Sequence, residues 1–371
     1  VCMNQLFRWD QMGLFLLALA AGILPFAVPE VCAAALREGL TLCSGSLLLS
    51  LFPFLVVSRL LIQCPESDLL ALPFRLAAWG IGIRTPCAAR VLCIGFLGGF
   101  APAASAAAQA VRTGQLTAEE ADALLPACIC SGPSFVVLTV GQSLLGSAEL
   151  GVLLFASQIT ANYLTAALLN RFAGVHSVKP GSAAPASPAP PRLDEILADA
   201  AITYCKLCGF ILFFRMLAAG AGALLPAGAG TLCAILLEVC SGCDLASRTG
   251  RWGSLLCCAA LSVQGLSVLL QVRTICPPEM TLRPLYRSRM LHLPLSLALF
   301  YLLLPGGEAD VFSTLPARVL LMRRVPPDCA LLVFAVCCMA ACTLRSGIRQ
   351  VEQKQMARNA GGCCINSKTL L

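Results

Sequence analysis

Two clusters rich in glycine and proline interrupt apolar sequence between residues 95 and 141. The first contains Gly98, Gly99 and Pro102, and the second is Ser131-Gly132-Pro133-Ser134. Lipid cannot satisfy the backbone groups that such residues free, so these breaks are tolerated only inside protein or beside a water-filled cavity. Helix N-termini at the breaks would carry unpaired N–H groups and about half a positive charge. Two such ends could hold a small anion, with serine hydroxyls as further donors.

A related set of polar and small residues follows later in the chain, around an acidic residue in an apolar run. Its members are Glu238, Ser241, Gly242, Gln264, Gly265 and Ser267, and Gln271 lies close by. The amides could bind a carbonyl or a ring nitrogen. A charge at the bilayer centre costs about 3 kcal/mol or more, so Glu238 is expected to face a partner, such as Arg215, or a cavity. Glu238 is also a candidate carrier of a proton or cation.

Each of these assignments has a simpler alternative. Glycine and serine let membrane helices pack closely without binding any ligand. Glu238 and Arg215 could both lie near span ends and extend their charged groups to the interface. Proline beside glycine favours a ligand site at 98–102 and 131–134 over simple packing.

Catalysis and metal binding find little support in the sequence. No Gly-x-Ser-x-Gly, HExxH, P-loop or dinucleotide-binding motif is present, so we do not expect an enzyme. Cys240 and Cys243 have a metal-like spacing, but there is no second CxxC, and both histidines lie far away in sequence. No metal and no cofactor is predicted.

Composition places the chain in a membrane. Of its 371 residues 58% are hydrophobic and 12% are charged, against about 25% charged in soluble proteins. Mean hydropathy is +0.82, and several apolar runs reach the ~20 residues that cross a bilayer. The net charge of +7 is spread between apolar runs, as in membrane proteins with basic loops, and predicts no nucleic-acid partner. Most of the 22 cysteines lie in apolar runs and are expected to act as small hydrophobic residues.

The apolar runs divide the chain. Spans are predicted at 12–29, 40–62 with a kink at Pro53, 149–172, 200–226 and 329–344, with re-entrant or broken segments between them. Thr117 is expected to cap a helix whose acidic residues, Glu119, Glu120 and Asp122, form a solvated face. The stretch 177–192 is rich in Pro, Ala and Ser and is typical of a linker. The predicted segments are an N-terminal transmembrane helix (1–29), a first half (30–175), a linker (176–199), a second half (200–305), and a C-terminal transmembrane helix with a basic, cytoplasmic tail (306–371).

The two halves are faintly alike. LCIGFLGGFAPAA (92–104) precedes SGPSFVVLTVG (131–141), and LCAILLEVCSGCDLA (232–246) precedes VQGLSVLLQV (263–272). Matched glycine and proline interruptions in two halves indicate a transporter site at the repeat interface. We therefore predict an all-α polytopic membrane protein, with about eight to ten transmembrane or re-entrant helices in two related halves with broken helices.

Several motifs in order resemble one family. They are FPF in the second span, PFR at 73–75, the glycine break at 95–99, the GQLTAEEADALL turn at 114–125, SGP at 131–133, LLEV at 236–239 and GLSV at 265–268. This series resembles the sporulation integral membrane proteins of the YlbJ type, which carry the nucleoside-recognition Gate domain, over most of residues 30–305. Relatives tend to have a Pro-x-Gly-Ala-Lys-like sequence where this chain has 97–101, and Asn-Asn where it has Ile129-Cys130.

The resemblance implies a role in endospore formation, in the bacterial cell membrane or the outer forespore membrane. It implies transport of a small anionic metabolite, with dipicolinic acid as the leading candidate. The expected partners are the lipid bilayer, that metabolite and a coupling ion, either a proton or sodium. One alternative is a nucleoside transporter or permease, and another is a structural or assembly protein of the spore membrane that transports nothing.

Overall fold

The structure is a computed structural model that describes residues 2–63, 68–173 and 193–304. Within these ranges the chain is helical and forms no β-strand, so the predicted all-helical class is confirmed there. The first helices are α1 (Cys2–Ala27), α2 (Pro29–Ser44), α3 (Ser46–Gln63) and α4 (Leu72–Gly80). They are followed by α5 (Pro86–Gly98), α6 (Phe100–Arg112), α7 (Ala118–Cys128), the π-helix Ser134–Leu144 and α8 (Ala148–Ala173). The remainder are α9 (Leu193–Leu224), α10 (Ala227–Leu237), α11 (Val239–Ser247), α12 (Gly253–Val263), α13 (Gly265–Ile275) and α14 (Arg283–Leu303).

Three helical stretches in the described chain are long and apolar enough to cross a membrane. They are Ala148–Ala173, Leu193–Leu224 and Gly250–Ile275, the last of which combines α12 and α13. A fourth candidate is the pair Phe15–Ala27 and Pro29–Ser44, which bends by 110°. The other apolar helices, including Pro86–Gly98 and Ala227–Leu237, have 10–17 residues. The part of the chain that the structure describes is thus all-helical, with three to four candidate membrane-spanning helices.

Helix boundaries differ from the predicted spans in several places. The predicted span 40–62 is divided at Gly45, because α2 ends at Ser44 and α3 begins at Ser46. The stretch between the predicted spans 12–29 and 40–62 is also helical, because α2 places Cys32, Ala35, Gly39 and Cys43 on one buried face against α9. Further along, α9 begins at Leu193, inside the stretch predicted as a linker up to residue 199. Acidic residues in the first turn of α9 suit a helix N-terminus. Residues 174–192 and 305–371, with the predicted span 329–344 and the basic tail, lie outside the described residues.

Helix α8 runs antiparallel to the interrupted stretch formed by α7 and the π-helix. Asn170 near the end of α8 donates to the carbonyl of Ala123 at 3.1 Å, whereas Asn162 donates to that of Ile129 at 3.4 Å. The N-terminal part of α8 packs on the π-helix. Because the single helix α8 contacts both parts in order, α7 and the π-helix follow a common path across the protein.

Candidate functional site

The first cluster is the tip of a helical hairpin formed by α5 and α6. A Cβ built on Gly95 would lie 3.2 Å from the Cβ of Ala103, whereas eight residues of continuous helix would separate them by about 12 Å. The chain reverses at Gly99, whose φ of +81° lies in the region that favours glycine. A Cβ on Gly99 would lie only 2.7 Å from the backbone nitrogen of Gly132. The hairpin tip therefore touches the second glycine cluster.

The second cluster interrupts the path from α7 to the π-helix. Ile129 is extended, and the π-helix begins at Ser134 with no side-chain cap at its N-terminus. The N-terminus of α6 also lacks a side-chain cap. The hydroxyls of Ser131 and Ser134 make no hydrogen bond to the described part of the chain. Two helix N-termini and two free hydroxyls are thus brought together by contact between the clusters.

A second hairpin, α10 with α11, has the same relation to the α12–α13 stretch. A Cβ on Gly242 would lie 2.8 Å from the Cα of Ile235, so the chain reverses at Glu238 between them. The α12–α13 stretch breaks at Gln264, which has a φ of 66°. Next to it, Gly265 has a φ of +70°, and a Cβ there would lie 2.9 Å from the backbone nitrogen of Glu238. This hairpin tip also touches the break of its neighbour.

One cavity borders both hairpin tips. Its volume is about 70 Å³. Because one water needs about 10–15 Å³, the cavity can admit several waters or a small ligand. Five of the predicted site residues line it, namely Gly98, Ser131, Gly132, Ser134 and Glu238. The other lining residues are Leu47, Leu51, Phe54, Leu97, Phe100, Phe135, Ile211, Val239, Cys240, Val268 and Gln271. We call this space the central cavity.

The other predicted site residues do not line the cavity but lie next to residues that do, or at the helix breaks. Gly99 and Gly265 lie at the two close approaches described above, and Pro102 packs on Gly98. Gln264 is buried at its break, and its Oε1 has no partner in the described chain. Pro133 precedes the π-helix, Ser241 contacts Glu238, and Gly242 packs on Ile235. Ser267 accepts a hydrogen bond from Nε2 of Gln271 at 2.9 Å, and the Oε1 atom of Gln271 has no partner in the described chain.

Glu238 caps its own helix instead of pairing with an arginine. Its Oε1 accepts the N–H of Cys240 at 2.8 Å, and its Oε2 accepts the N–H and the hydroxyl of Ser241 at 2.7 and 2.8 Å. The expected pairing with Arg215 is not observed, because Arg215 donates to Glu38 at 2.7 Å. The N-terminus of α11 is therefore already neutralised by a carboxylate, whereas the N-termini of α6 and the π-helix have no side-chain cap.

The predicted solvated acidic face of α7 was wrong for two of its three residues. Thr117 does form the expected capping box with Glu120, but Glu120 and Asp122 are both buried. Oδ2 of Asp122 accepts the N–H and the hydroxyl of Thr281 at 2.8 and 2.6 Å, and Oδ1 accepts the N–H of Leu282 at 3.1 Å. Asp122 thus joins α7 to the loop before α14. Spacing alone could not reveal this, because the loop lies about 160 residues away.

Sequence reasoning also missed a buried arginine between two helix ends. Arg289 donates to Oδ1 of Asn162 at 3.2 Å and to the carbonyl of Ser262 at 3.5 Å. Asn162 in turn donates to Ile129, just after α7, and Ser262 lies in the last turn of α12. Arg289 has no carboxylate partner in the described residues. A cation there stabilises the negative ends of α7 and α12.

Cys240 and Cys243 lie in α11, and no group of three or more His, Cys, Asp or Glu side chains in the described chain could hold a metal ion. His292 is buried beside the carbonyl oxygen of Gln158, at 3.2 Å. The comparisons with known proteins add no assignment: no protein-family model, no curated protein and no solved structure matches this chain.

Proposed function

We propose that this protein is a membrane transporter that moves a small anionic molecule through the central cavity. The observation that carries the proposal is that residues from both hairpin tips and from the break before the π-helix line a single cavity. Interrupted helices that meet around a shared cavity are the arrangement in which many transporters bind substrate.

Helix directions support a two-halved architecture in which the hairpins enter from opposite faces. Both ends of the α5–α6 hairpin lie at the face where α13 ends, since Arg112 donates to the carbonyl of Ile275 at 3.5 Å. Both ends of the α10–α11 hairpin lie at the face where α12 begins, since a Cβ on Gly253 would lie 3.0 Å from the carbonyl of Ser247. The path from α12 to α13 joins the two faces. Such inverted halves suit alternating access.

Helix lengths support a site near mid-depth. The arms of the two hairpins have 9–13 residues, which at 1.5 Å per residue is about 14–20 Å. Half of the hydrocarbon core is about 15 Å. Hairpins of this length that enter from each face would place their tips close to the middle of the membrane.

The lining chemistry favours an anion with a flat ring. The uncapped N-termini of α6 and the π-helix would attract negative charge, and Ser131 and Ser134 would donate hydrogen bonds. Dipicolinate, the substrate implied by the family resemblance, is a flat dianion whose carboxylates and ring nitrogen would accept these hydrogen bonds. That resemblance implies transport in a bacterial cell membrane or the outer forespore membrane of a sporulating cell. Glu238 is the proposed site for a coupling proton or sodium ion.

A nucleoside is the second candidate substrate. Three phenylalanine rings, Phe54, Phe100 and Phe135, line the cavity together with the amide of Gln271. Aromatic rings and an amide suit a nucleobase, whereas the uncapped helix ends would go unused by a neutral ligand. The uncapped helix ends are therefore the feature that favours the anion.

Uptake by the purified full chain in liposomes tests the proposal. We expect radiolabelled dipicolinate to accumulate above protein-free liposomes, and uridine to compete weakly or not at all. Uridine uptake without dipicolinate uptake would support the nucleoside alternative. If neither compound moves with an imposed proton or sodium gradient, the transport proposal is overturned and a structural role takes its place.

The variants Ser131→Ala and Ser134→Ala test the location of the site. Each removes a hydroxyl that makes no described contact, so we expect KM for dipicolinate to rise about tenfold, as for the loss of one good hydrogen bond to a charged ligand. Ser143→Ala is the control, because Ser143 lies on the same π-helix and bonds only its own helix, at Leu138. An equal effect of all three changes would contradict a site at the helix break.

A further inference from the structure

A second cavity adjoins the central one, and we call it the basin. Its volume is about 170 Å³. Gln271 lines both spaces, and helices α6, α9 and α13 contribute residues to both. Along α13, Val268 faces the central cavity and Thr274 faces the basin. The basin therefore continues from the central cavity towards the ends of α6 and α13.

The basin is strongly positive. Arg59, Arg112 and Lys206 line it together with a single carboxylate, that of Asp199, which leaves a net charge of +2. Lys206 has no ion-pair partner among the described residues, and Arg112 donates to a backbone carbonyl. Positive charges in a concave surface raise the local concentration of anions.

Arg59 is buried in the wall of the basin, whereas the side chain of its partner Asp199 is exposed. The side chain of Arg59 is 9% exposed and that of Asp199 is 61% exposed. Arg59 forms an ion pair with Asp199 through Nη1 and donates to the hydroxyl of Thr203 at 3.3 Å through Nη2. Its Nε atom is buried and has no partner in the described chain. The guanidinium thus has one buried, unpaired N–H and is paired with an exposed carboxylate.

We propose that the basin binds the carboxylate or phosphate group of a small anion or of a lipid headgroup. In the absence of this group Asp199 pairs with Arg59, and the bound group takes the place of the Asp199 carboxylate. A carboxylate or phosphate can engage a guanidinium through two parallel hydrogen bonds. Arg112 and Lys206 supply the additional charge that favours the incoming group over Asp199. The proposal goes beyond the proposed transport, because binding in the basin does not require any substrate to cross the membrane.

Acetylation of Lys206 measures occupancy of the basin directly. The full chain is placed in phosphatidylcholine nanodiscs and treated with an amine-acetylating reagent, and the peptide containing Lys206 is quantified by mass spectrometry. Malonate and inorganic phosphate are the soluble probes. We expect saturating probe to slow acetylation about fivefold or more, because a bound anion shields the amine and keeps it protonated.

Three variants test the roles of the basin residues. Asp199→Asn removes the competing carboxylate. The probe concentration that halves the acetylation rate of Lys206 should therefore fall roughly fivefold, as for the loss of an ion pair worth up to about 1 kcal/mol. Arg59→Gln should raise that concentration tenfold or more. Arg112→Gln, at the exposed rim, should raise it a few-fold without affecting folding. Arg248→Gln is the control, because this exposed arginine pairs with Asp244 on α11, away from the basin.

Nanodiscs that contain phosphatidylglycerol separate the two sources of the anionic group. Protection by soluble probes in pure phosphatidylcholine identifies a small anion, whereas protection that rises only with phosphatidylglycerol identifies a lipid headgroup. Absence of protection in both arms, or protection that is unchanged in both Arg59→Gln and Arg112→Gln, overturns the proposal. Protection in a protein that transports neither dipicolinate nor uridine would leave the basin intact and the proposed function refuted.

Discussion

At the scale of single residues, two buried carboxylates bind backbone N–H groups at a helix end and in a loop. Glu238 binds two N–H groups of α11, and Asp122 binds two in the loop before α14. Each satisfies donors that a buried break would otherwise leave unpaired. Both carboxylates therefore have a structural role. A coupling ion at Glu238 would have to bind oxygens that already accept hydrogen bonds from α11.

Asp122→Asn should destabilise the protein by about 2 kcal/mol, because one of two charged acceptor oxygens becomes an amide facing buried donors. The measurement is the midpoint of thermal unfolding in detergent, followed with a thiol-reactive dye that labels the buried cysteines as they become accessible. Glu119→Gln is the matched control, since Glu119 lies in the same helical turn but is exposed. Similar melting of the two variants would show that the contact from Asp122 to Thr281 contributes little.

At the scale of elements, each hairpin tip packs against a break in a neighbouring helix at backbone contact distance. Gly99 meets Gly132 in one pair, and Gly265 meets Glu238 in the other. Gly99 and Gly265 each meet two demands: a left-handed backbone and the absence of a side chain. Only the second demand depends on the crossing of the elements.

Gly99→Ala and Gly114→Ala separate these two demands. Both glycines have positive φ, at +81° and +70°, but a Cβ on Gly114 would meet nothing within 4 Å. Gly114→Ala should cost about 1–2 kcal/mol for the left-handed backbone alone. Gly99→Ala should cost a further 1–3 kcal/mol, roughly, for forcing the crossing apart, and should abolish uptake. Equal shifts in the unfolding midpoint would argue against a close crossing.

At the scale of the whole molecule, the proposed inverted halves give the two faces different charge. The face at which α5 begins and α6 ends carries Arg84, Arg112 and Arg283, whereas the face at which α11 ends carries Arg248 and Arg251. The excess of arginine on the first face predicts that it is cytoplasmic.

Short epitope tags inserted after Gly114 and after Gly250 test this orientation. Both glycines lie in exposed turns with open space around them, so the insertions should be tolerated. In sealed vesicles of known orientation, antibody should reach the tag at Gly114 only from the cytoplasmic side and the tag at Gly250 only from the other side. Access to both tags from the same side would refute the inverted arrangement. An uptake assay on the tagged chains verifies that they are folded.

The sequence by itself determined the helical class and the apolar runs that are candidates to cross a membrane, and it marked the interruptions at Gly99 and at Ser131–Ser134. Those properties depend on local composition: apolar runs make helices in lipid, and Gly99 or the Ser131–Ser134 stretch interrupts them wherever the chain goes. The capping box at Thr117 was likewise predictable, because its partner lies three residues away.

Only the tertiary structure decided which breaks meet and what the charged residues do. Asp122 and Thr281, Arg59 and Asp199, and Arg289 and Asn162 are each separated by more than 100 residues, and no local pattern encodes such contacts. The same holds for Glu238, whose neighbours in sequence could not show whether it would pair with Arg215 or cap α11. Burial makes the partner of a charge decisive, and packing between distant helices chooses that partner.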